Sequence, residues 1–222
     1  MVRFDFNFFV NCIFEIIFKV PYTLYLGCVS FALSIFIAIM LVALRGSKIA
    51  PVRGLAGLYI SFFRSTPYIT QLFIFYYGLP QIFFSLRSIS AETAFIVSVA
   101  LNTSAFNAEI IRGGLLSVDK GQKEAAISIG LSKFQTMKEI IVPQAFISIF
   151  PSLGNALVGT IKNTAVAFTI GVVEILSQAK IAAAIGYNFM EAYIAAGIVY
   201  WLLIVCVDLI QKQLEVRIYR FL

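Results

Sequence analysis

This sequence predicts an all-α membrane protein: one domain over residues 1–222, with five transmembrane helices and an amphipathic helix at the N-terminus. Composition is the first ground for that prediction. Hydrophobic residues fill 60% of the 222 positions and charged residues only 13%, against about 25% charged in a soluble domain. The second is continuity. The apolar runs are long and unbroken rather than alternating at every second position, which is not the pattern of a transmembrane β-barrel. The third is length, because five stretches reach the ~20 helical residues that a ~30 Å hydrocarbon layer requires.

The elements follow in chain order. Between Phe4 and Val20 the apolar residues are interrupted by Asp5, Asn7, Asn11, Glu15 and Lys19, which suits a helix over 1–20 lying in the interface. The same polar residues break any apolar core of a cleaved leader, so none is expected. Spans are predicted at 21–44, 55–78, 91–113, 150–172 and 192–211. Gly46, Pro51 and Gly54 punctuate the first connection, Gly78 and Pro80 the second, and Gly113 with Gly114 end the third span. Pro151 stands where the fourth span would begin, a position that needs no N–H. No repeat of 20–50 residues and no low-complexity segment is visible.

The net charge of +6 is read in such a chain as an orientation signal before it is read as a nucleic-acid footprint. With the N-terminus outside, eleven Lys and Arg fall in inner segments: Arg45, Lys48, Arg53, Arg112, Lys120, Lys123, Lys133, Lys138, Lys212, Arg217 and Arg220. Four fall outside, Arg3, Lys19, Arg87 and Lys180. The expected orientation is therefore N-terminus out, C-terminus in, with the segment 114–145 in the cytoplasm. Cys12, Cys28 and Cys206 lie apart in apolar surroundings and the chain has no histidine, so they read as small core residues.

The segment 114–145 holds a polar, helix-compatible insert, EAAISIGLSKFQTMKEIIVP from Glu124 to Pro143. Asp119 is placed to cap a first short helix with Gln122 as the partner of a capping box. Ala125, Ala126 and Ile129 would form a flat apolar strip, flanked by Lys123 and Glu124 to fix register. Gly130 would end this helix, and Ser132 would cap a second one running through Met137 to Ile141, before Pro143.

The insert reads Glu-Ala-Ala, three residues, Gly, nine residues, Ile, and an exit through Val142 and Pro143. In that spacing it resembles the EAA loop of bacterial ABC importer permeases, with Val142 where leucine is commoner. NTSAFNAEIIRGGLLSVDKGQ at 102–122, PVRGLAGLYISFFRSTPYITQLFIFYYGLP at 51–80 and IKNTAVAFTIGVVEI at 161–175 are similar to segments of the polar amino acid subfamily. The resemblance implies a type I ABC importer permease in a bacterial inner membrane, translocating an amino acid by alternating access. It implies a second permease subunit, identical or not, two ABC ATPase subunits and an extracytoplasmic amino acid-binding protein. It places ATPase coupling on Glu124, Ala125, Ala126 and Gly130. ATP and Mg would sit on the partner ATPase, with no cofactor on this chain, which has no G-x-x-x-x-G-K-[ST] loop to cradle phosphate. No nucleic acid is expected as a partner.

Polar groups inside the spans are the candidate substrate pathway. Arg64 lies roughly 14 Å into the second span at 1.5 Å per residue. An arginine there costs ~2.5–3.5 kcal/mol on insertion scales, so it should face a cavity or a partner. Thr66 adds a hydroxyl, and Pro67 frees the carbonyl of Phe63. Asn102, Phe106 and Glu109 share one face of the third span. Lys162, Asn163 and Thr164 follow one another in the fourth, and the family commonly carries aspartate at the position of Asn163. A free amino acid offers a carboxylate to Arg64 or Lys162 and an ammonium to Asn102, Asn163, Thr164 and carbonyls. Two other readings stay open. Arg64 and Glu109 would pair to hold helices together, and Gly154, Ala156, Gly159 and Ala165 would form a seam between two permeases. The rival function is an ion-coupled secondary transporter or channel that works without an ATPase.

Overall fold

The computed structural model describes residues 4–220, and among these no strand occurs. Helix α1 (Phe6–Ile17) starts at Asp5, whose side chain accepts a hydrogen bond from the Phe8 N–H at 2.9 Å. It does not stand alone. Cys12 and Ile16 are buried against α10 (Ile175–Gly186) and α11 (Phe189–Arg220), while Phe14 and Phe18 point outward. Only Phe18 and Lys19 separate α1 from α2 (Val20–Arg45), which carries Pro21 in its first turn.

Among the described residues, four helices are long and apolar enough to cross a bilayer: Val20–Arg45, Ala91–Ser117, Lys133–Ile170 and Phe189–Ile218. The second of these, α6 (Ala91–Ser117), has 67% of its apolar window inside the bundle, against 17% to 33% for the other three. It is the central helix, with α2, α3 (Ala50–Ser65) and α9 (Val142–Asn163) packed along it. Close approach is bought by missing side chains: a Cβ at Gly114 would lie 2.1 Å from Ile149 Cγ1, and one at Gly27 2.7 Å from Ile161 Cγ1.

The expected span 55–78 is not one helix. Helix α3 stops at Ser65, Thr66 and Pro67 are extended with ψ of 145° and 134°, and α4 (Tyr68–Phe73) restarts the helix. A π turn over Ile74–Gly78 and the short α5 (Leu79–Ile82) follow. Proline at 67 drives the preceding residue out of the helical region and removes a donor, so the chain breaks there.

The fourth span differs in the opposite sense, beginning far earlier than 150. From α8 (Lys133–Gln135) the helix continues through a π turn at Thr136–Ile141 into α9, passes Pro143 and Pro151, and ends as a 3₁₀ stretch over Thr164–Ile170. Pro143 therefore does not terminate the insert: it sits in the first turn of α9, where the wider π turn ahead of it relieves the clash of its ring. Residues 173–191, expected as an outer connection, hold α10. Gly171, at φ 89°, turns the chain, and Ile175, Ala179 and Ala183 enter the same core as Cys12, Ile161, Ala192 and Ala195.

Candidate functional site

The break in the second span is closed by side chains. With no N–H at Pro67, the Phe63 carbonyl instead accepts from Gln71 Nε2 at 3.1 Å and Asn102 Nδ2 at 3.0 Å. Gln71 Nε2 also lies 3.1 Å from the Thr66 carbonyl and 2.5 Å from Thr66 Oγ1. Asn102 Nδ2 donates to Gln71 Oε1 at 2.9 Å, and Thr66 Oγ1 donates to the Phe62 carbonyl at 2.9 Å. Gln71 and Asn102 are both buried. The freed Phe63 acceptor expected from Pro67 is thus real and has two donors. Asn102 is held in this brace rather than beside Phe106 and Glu109 on the cavity wall. Gln71 was not singled out by the sequence, although its place four residues after the proline puts it one turn above the break.

One turn deeper, a cavity of about 400 Å³ is lined by Arg45, Ser61, Arg64, Ser65, Phe106 and Glu109, among others. Glu109 is its one carboxylate. Arg45 Nη1 pairs with Oε1, and Arg112 donates to Oε2 from Nη2 at 2.6 Å and Nε at 3.0 Å. The expected Arg64–Glu109 pair does not form, because Arg45, at the end of α2, and Arg112, one turn after Glu109 on α6, take both oxygens. Arg64 is exposed to the cavity, its guanidinium carbon 5.8 Å from the centre of the Phe106 ring. Among the described residues it makes no ion pair and no side-chain hydrogen bond. Two arginines and one carboxylate on the wall leave the cavity net cationic, and the ring supplies only a weak cation–π contact of ~0.5–1 kcal/mol.

Lys162 lines a different cavity, of about 300 Å³, with Ala165, Leu176, Tyr193, Gly197 and Tyr200. The expectation of one cavity offering Arg64 and Lys162 together gives way to two. Thr164 is fully buried, donates to the Ile161 carbonyl at 2.7 Å and lies 3.4 Å from Tyr200 OH. Asn163 is half-buried at the last turn of α9. Behind this wall sits a residue that sequence reading missed, Glu174, at 0% exposure. It caps α10, accepting from the Ser177 N–H at 2.8 Å and Ser177 Oγ at 3.0 Å, and takes the Tyr200 hydroxyl on its other oxygen. The signal available was only a glutamate three residues before a serine at the start of an apolar run.

The insert folds as an elbow. Helix α7 (Lys120–Ser128) is capped by Asp119 through the Gly121 N–H at 2.7 Å, not by a capping box with Gln122. The capping box lies at the second arm instead, where Ser132 Oγ accepts from the Gln135 N–H at 3.3 Å and Gln135 Oε1 from the Ser132 N–H at 3.0 Å. Gly130 at φ 87° makes the bend, closed by the Leu131 N–H on the Ala126 carbonyl at 3.1 Å. The expected strip is split by this fold. Ala126 is 4% exposed, turned into the elbow toward the π turn, whereas Glu124, Ala125 and Gly130 are exposed. The most outward apolar residues of the insert are Ile129 at 78% and Phe134 at 74%, with Ile127, Met137 and Val142 at 45–48%.

Comparisons with known proteins cover nearly the whole of this architecture. Residues 34–220 match the family described as binding-protein-dependent transport system inner membrane component. The chain is 39% identical over 211 residues to the "Probable amino-acid permease protein YxeN" of Bacillus subtilis, covering 95% of this chain and 94% of that one. It is 37% identical over 219 residues to the L-cystine transport system permease protein TcyL of the same organism, covering 97% and 92%. A crystal structure of an amino acid ABC transporter with histidines superimposes with a TM-score of 0.90 at 32% identity, over 97% of this chain and 100% of that one.

Proposed function

This chain belongs to the family of binding-protein-dependent transport system inner membrane components, and from that premise we propose that it works as the transmembrane subunit of an ATP-driven amino acid importer. It is a multi-pass inner membrane protein. The carrying observation is the elbow: Ile129 and Phe134 stand largely exposed, at 78% and 74%, on a turn with a cap on each arm, and Glu124 is exposed on the first arm. Apolar side chains so presented are a surface for a partner. Two ABC ATPase subunits would take that surface, hold ATP and Mg, and move the elbow as they close. A second permease subunit, identical or homologous, and an extracytoplasmic amino acid-binding protein complete the assembly. The N-terminus would lie outside and the elbow in the cytoplasm, as the charge distribution favours.

On the pathway, the Arg64 cavity supplies a cation whose nearest carboxylate is already engaged by Arg45 and Arg112. That is the chemistry an amino acid carboxylate requires. Lys162 would supply a second cationic station at the end of α9, with Asn163 half-buried next to it and Thr164 packed behind it against Tyr200. In the Arg64 cavity Glu109 acts by holding Arg45 and Arg112, one on each oxygen, and Thr66 and Asn102 act by shaping the break above the cavity.

The test is reconstitution with the cognate ATPase and binding protein. Uptake of an amino acid into proteoliposomes should require ATP, and Ile129→Arg with Phe134→Asp should abolish copurification of the ATPase while leaving the permease folded. Ala126→Arg is a poorer probe, since it would wedge open the elbow itself. Uptake driven by an ion gradient without the ATPase would overturn this reading in favour of a secondary transporter.

A further inference from the structure

We propose that Gln71 is a positioning residue of the Arg64 cavity: with Asn102 it clamps the broken end of α3 so that Arg64 is presented as the cation that receives an amino acid's carboxylate. The inference rests on the cavity's being part of the pathway. Its grounds are the direction and completeness of the hydrogen bonds at the break. Asn102 donates to Gln71 Oε1 at 2.9 Å, so the orientation of the Gln71 amide is fixed, with its NH₂ toward Phe63 and Thr66. Those acceptors are the residues flanking Arg64 at the last turn of α3. A swing of that turn would strip the buried Gln71 and Asn102 donors of their partners. The break is therefore a stiff corner, not a hinge.

The stiffness matters because of what Arg64 lacks. Glu109 is occupied by Arg45 and Arg112, and Phe106 offers Arg64 only its ring face. An arginine so placed keeps its planar fork free for a carboxylate, and its usefulness depends on being aimed. Leucine at 71 would fill similar space but donate nothing, leaving α3 free to fray and Arg64 to wander.

Binding is to be measured by titration calorimetry on the whole purified transporter in detergent, without binding protein. The probes are L-arginine, L-glutamate, L-glutamine and L-cystine, and the tightest of them is then followed through the variants. Arg64→Gln should weaken it about tenfold, the scale of one hydrogen bond to a charged group. Gln71→Leu should weaken it by several-fold, yet add nothing once Arg64 is already glutamine. Its thermal midpoint should fall equally in both backgrounds. If Gln71→Leu leaves affinity unchanged, or weakens it by the same factor in the two backgrounds, Gln71 is only structural and the inference is overturned. If Gln71→Leu does not assemble, Thr66→Val decides, by the same coupling to Arg64→Gln at a smaller factor. Failure of the cavity reading is seen separately: Arg64→Gln then has no effect on any probe, or the unaltered transporter binds none of them.

Discussion

The two interruptions in this chain, the corner at Thr66–Pro67 and the elbow at Gly130–Leu131, solve the same problem with different resources. At the elbow the orphaned groups are met within six residues: Leu131 N–H reaches Ala126, and Ser132 and Gln135 cap each other. Water can satisfy whatever remains. At the corner the Phe63 carbonyl is met by Asn102, 39 residues away on another helix, and by Gln71, eight residues on. Within a bilayer every freed backbone group must find a protein partner. The corner is consequently tied to α6, while the bend of the elbow is satisfied locally and its first arm is held to α9 by the Gln144 Nε2 bond to Gln122 Oε1 at 3.3 Å. A partner can move the elbow without breaking the bundle.

That contrast can be broken at either end. The largest effect is expected for Asn102→Leu, which removes both bonds and leaves Gln71 Oε1 buried without a donor, at a cost of ~3 kcal/mol. The thermal midpoint of the purified complex reads it, and a drop no larger than for a surface change would mean that the corner needs no brace. Gly130→Ala should cost ~1–2 kcal/mol through its left-handed backbone. Amide exchange should rise in residues 120–135 and not in α6. An effect that spreads to α6 would show the elbow to be coupled to the bundle after all. Smallest is Ser132→Ala, worth ~1 kcal/mol as a lost cap. It should weaken ATPase copurification slightly and leave the midpoint of the bundle in place.

Legibility in the sequence tracks the same divide. The elbow's bend at Gly130 and cap at Ser132 were readable because each motif is complete within a few residues. Where that reading slipped, with a box expected at Asp119 and Ala126 expected outward, the cause was folding of one arm on the other. At the corner, Pro67 announced a free Phe63 carbonyl but not who would claim it. Asn102 was assigned to the cavity because it shares a face with Phe106 and Glu109, and nothing local revealed that α4 would cover it. Arg45, at the end of α2, gave no sign of reaching Glu109, a pair 64 residues apart. Apolar length found the spans 21–44, 91–113 and 192–211. It passed over α10, because 12 residues are too few to span and so were read as part of an outer connection.

The continuity of the helix from Lys133 to Ile170 has a mechanical meaning. It spans 38 residues, a contour of about 57 Å at 1.5 Å per residue, and carries the elbow at one end and the Lys162 station near the other. No loop intervenes to absorb a push. When the helix moves as one rod, a tilt of about 5° at the elbow displaces the far tip by about 5 Å, and any bending at the π turn or the two prolines shortens that stroke. Such a stroke is comparable to the width of an amino acid side chain, and it would slide α9 against α2, α6 and α11, along which it packs.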